Sequence, residues 1–204
     1  MNASPQTRLA ILGTMSDLHR QPISYDLNSL RKILADVGPD LLCAEITVED
    51  WEQDDFSKAA VEVREALAPV VASTDIVLIP VAPSPEQYTD FAPDSGWRGR
   101  LVRTFDRLLR WGQIQADDAP TVNGPWFGAF CHTVCWITES FWSARDRAAW
   151  ERQNQELADN IVRAVQRDSG RRVLVAVQCQ RLHRLMPLLK AHNDLLKIIP
   201  YQNL

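Results

Sequence analysis

The chain has 204 residues, 46% of them hydrophobic and 24% charged, with a formal net charge of −4. That is enough apolar material for one sizeable core and too little clustered positive charge for a nucleic-acid footprint; the densest arginine group (Arg98, Arg100, Arg103, Arg107, Arg110) is interleaved with apolar residues and reads as the wet face of a helix, or as a face turned to an acidic or phosphate ligand. No stretch approaches the roughly 18 apolar residues of a membrane span, the start lacks the basic and apolar pattern of a secretory signal, and the four cysteines form no CxxC pair, so a cytoplasmic protein with reduced thiols in its core is expected.

In chain order, "RLAILG" (Arg8 to Gly13) is a short apolar run closed by glycine and predicts a buried strand. "LNSLRKILADVG" has Leu27, Leu30, Ile33, Leu34 and Val37 at helical spacing, with Gly38-Pro39 as the stop. "DLLCAEI" (Asp40 to Ile46) is a second strand. "FSKAAVEVREALAPVVAS" is helical, with Pro69 as a kink or break. "DIVLIPVAP" (Asp75 to Pro83) is a third strand.

Residues 84–147 interrupt this alternation and predict a helical, aromatic-rich insertion packed over the sheet as a lid. "SPEQYTDFAPDSG" is loop-like, "WRGRLVRTFDRLLRWGQ" helical, "ADDAPTVNGP" a second loop, and "WFGAFCHTVCWITESFW" a further helix. A long helix follows from Ala144 to Ser169, then a strand in "RRVLVAVQ", a helix in "RLHRLMPLLKAH" and a fifth strand in "LKIIPY". Strands apolar on both faces and alternating with helices predict an α/β domain with a mostly parallel central sheet under helical cover. In such sheets ligands bind beyond the carboxyl ends of the strands. That points to Thr14–His19, Glu45–Thr47 and Gln178–His183.

Within those stretches Asp17, His19 and Glu45 are candidate acid/base or metal-ligating groups. The first two strands are expected to be neighbours, which would bring His19 and Glu45 to the same edge. Asn154 lies in the apolar stripe of the long helix. If buried it must be hydrogen-bonded, either to a neighbouring backbone or to something in a site. Arg152 points nearly the opposite way. His183 falls on the first turn of the last helix. Cys131 and Cys135, one helical turn apart, read as core residues rather than soft-metal ligands. The aromatics around Trp126 and Trp136 could line an apolar ligand pocket, pack under the insertion or form a dimer surface. No Gly-rich phosphate loop and no GxSxG elbow is present.

The pieces "ILGTMSDLH", "LADVGPDLLCAEI", "RQNQELADNIV" and "GRRVLVAVQCQRLHRLMPLL" together resemble the TraB/TIKI superfamily, which includes erythromycin esterase-like and ChaN-like proteins. They cover the two ends of the chain, roughly half of it, in that family's order. The resemblance implies an α/β fold with histidines and an acid at one sheet edge. It also implies either metal-dependent proteolysis, hydrolysis without an established metal, or haem binding in the ChaN-like branch. It carries Gly13 and Thr14 to the first turn, Glu45 to the acid, Asn154 to the late amide, and His19 and His183 to the two histidines. Met15 and Ser16 stand where the first histidine is usual, Gln153 stands where an arginine precedes the asparagine, and Arg181 is as well placed as His183.

These readings lead to a hydrolase acting on an amide or ester bond of a small molecule or peptide. His19 and Glu45 would serve as its base, acid or divalent-metal ligands, Asn154 and His183 would position the substrate, and Trp126, Trp136 and Arg152 would contact the ligand. The alternatives are a non-catalytic binding protein for an apolar or haem-like ligand, and an interaction subunit, with a homodimer among the arrangements allowed.

Overall fold

The structure is a computed structural model that describes residues 6–84 and 96–204. The loop expected around residues 84–96 lies almost wholly outside the described residues.

Strand β1 (Thr7–Thr14) opens the chain and β2 (Leu41–Ala44), β3 (Val77–Pro80), β4 (Arg172–Gln178) and β5 (Leu196–Ile198) follow. They form one five-stranded sheet in the order β3-β2-β4-β1-β5, every pairing parallel. Alternation within apolar strands supplies both faces. Ala10, Leu12, Leu42, Ala44, Leu174 and Ala176 face one core. Leu9, Leu41, Cys43, Val173, Val175 and Val177 face the other.

The first face is covered by α1 (Leu27–Val37), whose Leu30 and Leu34 are fully buried. Asp26 caps its start by accepting from the Ser29 amide, and Gly38 ends it at φ +50°, a left-handed position that glycine adopts without steric cost. After the short α2 (Val48–Glu52) a helical segment over residues 61–72 packs beside α1. It contains a π turn (Val63–Leu67) that runs into α3 (Ala68–Ala72). Pro69 explains the irregularity, since it has no N–H for the carbonyl of Glu65 four residues back. That carbonyl is met instead by the Arg31 guanidinium. The break expected at Pro69 is therefore a local change of winding inside one helical segment.

The insertion is helical: α4 (Trp97–Ala116), α5 (Ala119–Val122) and α6 (Pro125–Ser140). Its Leu109, Val122, Phe127, Cys131 and Val134 join the first core, so it closes the top of that layer. The opposite face is covered by α7 (Ala144–Arg167), through Leu157, Ile161 and Val165, and by α8 (Leu182–Lys190), through Leu185 and Leu189. No helix among the described residues is long and apolar enough to cross a membrane.

One expectation is corrected here. β1 and β2 are not neighbours, because β4 lies between them and pairs with both. The late strand completes the centre of the sheet, an arrangement that local sequence pattern cannot foretell.

Candidate active site

The chain leaving β1 turns toward α1 on one face, and the chain leaving the adjacent β4 turns into α8 on the other. Loops that diverge from neighbouring parallel strands open a crevice at the strand ends. A cleft of about 260 Å³ lies there. The β1 side contributes Thr14 to Leu18, the β4 side Gln178 to Gln180, and α4 closes it with Asp106, Arg107, Arg110 and Gln113. Ser16, at φ +51°, makes the sharp turn that brings the loop back over the strand end. Asp17 sits at the exposed rim, 3.2 Å from Arg110.

Thr14 is the deepest polar residue of the β1 wall, 1% exposed. Its hydroxyl donates to Glu62 Oε1 at 2.7 Å. Glu62, from the helical segment behind it, is 3% exposed, and among the described residues its Oε2 has no well-aligned hydrogen-bond partner. Burial raises the carboxyl above its ordinary value, and the Thr14 hydroxyl offsets only part of that. Sequence reasoning missed Glu62. The available signal was a glutamate between two valines in "AAVEVREAL", on the side of the helix shared with Ala66.

Glu45 lies just past β2 and is brought to Arg181 across the end of β4. Glu45 Oε1 is 2.6 Å from Arg181 Nε, with side chains 6% and 4% exposed. This is a charge contact rather than an aligned hydrogen bond. The Gln178 amide adds a bond to Glu45 Oε2 at 3.3 Å. The Arg181 guanidinium also lies 4.3 Å over the Trp150 ring and donates to Asn154 Oδ1 at 3.3 Å. Asn154 in turn donates to the Trp150 carbonyl at 2.7 Å. Glu45 and Asn154 are therefore united, as expected of residues near one edge, and the residue that unites them is Arg181.

His19 is not part of this group. Its Nε2 accepts from the Met15 amide at 2.9 Å, so Nδ1 carries the proton and donates to the Tyr25 carbonyl at 2.7 Å. It is 1% exposed, and burial lowers its basicity, partly offset by the Tyr25 bond. Both nitrogens are spent stapling the loop after β1, which leaves no lone pair for a substrate proton or a metal. The donor set proposed for a divalent ion thus does not fit, because His19 is occupied and the Arg181 cation stands against Glu45. Among the described residues no three His, Cys, Asp or Glu side chains converge as a metal site.

His183 faces α6 instead of the crevice. Its Nε2 is 3.1 Å from Glu139 Oε1, which also accepts from Trp150 Nε1 at 3.0 Å, while Arg184 holds Glu139 Oε2. Burial alone would raise the Glu139 carboxyl, but His183 and Arg184 outweigh it and leave it lowered. Trp126 and Trp136 are 89% and 62% exposed on the outer side of α6, and Arg152 is exposed on α7; none of the three lines the crevice. Cys179, which lines it, is buried and accepts from Gln113 Nε2 at 3.1 Å.

No family model matches this chain, and no curated protein or solved structure matches it either.

Proposed function

We propose that the chain is a TraB/TIKI-like hydrolase that cleaves an ester or amide bond of a small acidic molecule in the crevice between β1 and β4. The observation that carries this reading is the Thr14–Glu62 hydrogen bond of 2.7 Å on the crevice wall. A hydroxyl held on a carboxylate whose proton affinity is raised by burial is a nucleophile paired with its base. Thr14 Oγ1 attacks the substrate carbonyl, Glu62 takes the hydroxyl proton and returns it to the leaving alcohol or amine. Water, deprotonated by the same carboxylate, then attacks the acyl carbon; the bond from that carbon to Thr14 Oγ1 breaks, Glu62 returns the proton to Oγ1, and the acid leaves. Arg107 and Arg110 on α4 draw the negative charge of the substrate to the mouth. The Glu45–Arg181–Asn154 group is a positioning element that holds the end of β4 in place. In support of the family reading, Thr14, Glu45 and Asn154 come from the motifs that carry the resemblance, and all three belong to the region beyond the strand ends.

The test is a screen of nitrophenyl esters and anilides of small diacids, run on wild type, Glu62→Gln and Thr14→Val. Loss of at least about 100-fold in kcat in both variants, with melts preserved, is expected. Equal turnover by the variants overturns the assignment.

A second reading, capture of the same acidic ligand without turnover, is favoured by the slight exposure of Thr14 and by the engagement of His19 and Glu45 in framework contacts. Titration calorimetry on Glu62→Gln separates the two: a capture protein binds substrate and never consumes it, whatever stands at residue 62.

A further inference from the structure

On the far side of α6 from the exposed tryptophans lies a second cavity, a groove of about 740 Å³ between α6, α8 and the chain after β5. Its origin is the brevity of β5. That strand pairs only with Thr7–Leu9, so β5 does not reach Ile11, which pairs with β4 on its other side and forms part of the groove wall. Phe127, Leu182, Met186 and Ile198 are part of its apolar lining. The volume is within the range of sites that enclose a whole small molecule.

Three observations say what would fill it. The first is charge. Among the described residues no aspartate or glutamate lines the groove, although the chain carries a net charge of −4; the ionisable lining is Lys190, His132, His183 and two cysteines. The second is His183. Its side chain is 7% exposed, its Nε2–H is given to Glu139, and among the described residues the buried Nδ1 has no hydrogen-bond partner. A buried polar atom left unmatched is costly, and an acid group that shares its own proton with Nδ1 would satisfy it. The third is Gly128. It stands inside α6, where glycine is less favourable than alanine, yet a Cβ added there would meet nothing within 4 Å. Gly112 of α4 differs: a Cβ there would come within 2.3 Å of Phe130, so close packing accounts for that glycine. At Gly128 the missing side chain leaves open space on the groove wall.

We infer that this groove is a binding site for an amphipathic carboxylate, with an acyl or similar apolar body against Phe127, Leu182 and Met186 and the acid group at His183 and Lys190. It adjoins the crevice at Cys179, the one described residue that lines both, and is otherwise lined by different residues. The Glu139 contacts to His183 and Arg184 tie α6 to α8, so the two walls are held before the ligand arrives.

The experiment is fluorescence titration of the full chain with cis-parinarate below its micelle concentration, with its methyl ester as the uncharged control. Saturable binding near one per chain is expected, at least tenfold tighter for the acid than for the ester. Gly128→Trp, which fills the open space, and Lys190→Glu, which reverses the charge at the mouth, should each weaken it at least tenfold. Met186→Trp plugs the groove from α8 and takes the place of Gly128→Trp if that variant fails to fold. Absence of saturable binding to wild type overturns the proposal. So does binding that a folded plugged variant leaves unchanged, and so does equal affinity for acid and ester. Turnover in the crevice is read separately, so the hydrolase reading can fail without this one.

Discussion

Arg181 is the residue whose role is most exposed by the tertiary structure. It is almost fully buried, and its charge is met by Glu45, by the Trp150 ring and by Asn154. Removing one partner of a buried ion pair leaves a charge in a poor solvent, so Arg181→Met should cost about 3–5 kcal/mol in urea unfolding. Glu45→Gln added to Arg181→Met should recover a large part of that loss, since the stranded carboxylate is gone. A simple additive loss would mean that the two residues do not act as a pair. Glu45 and Asn154, which the resemblance carries to the acid and the late amide, are joined through Arg181, and Asn154 also bonds the Trp150 carbonyl. The resemblance offered His183 as the late partner with Arg181 equally well placed, and the helical turn after β4 decided between them: Arg181 points toward Glu45, and His183, two residues on, toward α6. His19 was a reasonable candidate from its position after "GT", but a loop folding back to Tyr25 consumes both of its nitrogens.

Among the elements, the helical segment over residues 61–72 shows how a local defect is repaired from outside. Pro69 leaves the Glu65 carbonyl without a helical donor, and Arg31 of α1 supplies one. Arg31→Leu keeps the apolar stem and removes the donor. It should lower stability by about 1–2 kcal/mol, read as a lower urea midpoint at unchanged slope. No loss would show that water serves the carbonyl equally well. The same segment carries Glu62, so its winding sets where that carboxyl meets Thr14. The helices α1, α4, α6, α7 and α8 were all legible in advance, because each has a sustained apolar stripe and most have a clear stop. The short α5 was read as loop: four residues started by Asp118 and Pro120 carry no period to read. Yet α5 leads directly to Asn123, whose side chain accepts from the Gly13 amide at 2.6 Å and holds the open edge of β1.

For the whole molecule, buried titratable groups make stability depend on pH with two opposed slopes. His19 has its basicity lowered from an ordinary 6.5. Below that value the unfolded chain takes the proton first, so stability falls as the medium is acidified from about pH 6.5. Glu62 acts the other way. Its carboxyl is raised above 4.5, so the folded chain holds the proton longer and stability falls as pH rises through the raised value. Thermal melts of the single variants across pH 4 to 8 should separate these opposite contributions. His19→Gln should remove the loss seen on acidification below 6.5, and Glu62→Gln the loss seen as pH rises above 4.5, with a melt at pH 8 equal to or above wild type. A Glu62→Gln protein that is less stable at pH 8 would mean that the carboxyl is a structural anchor, at odds with a group kept for chemistry at some cost in stability.

The sequence by itself determined the α/β class, the parallel sheet under helical cover and the placement of most helices and strands, because apolar periodicity is a local property that neighbouring residues express together. It also marked Thr14 and Glu45 as residues at or just past the ends of apolar strands, and Asn154 as a polar residue in the apolar stripe of the long helix. Only the tertiary structure decided the strand order, with β4 inserted between β1 and β2, and hence which polar groups touch. Glu62 joins Thr14 across a sequence separation of 48, and Arg181 lies 136 positions beyond its partner Glu45. Such contacts form because burying an unpaired polar group is expensive, and the partner that satisfies it is chosen by packing in three dimensions, where separation along the chain carries no information.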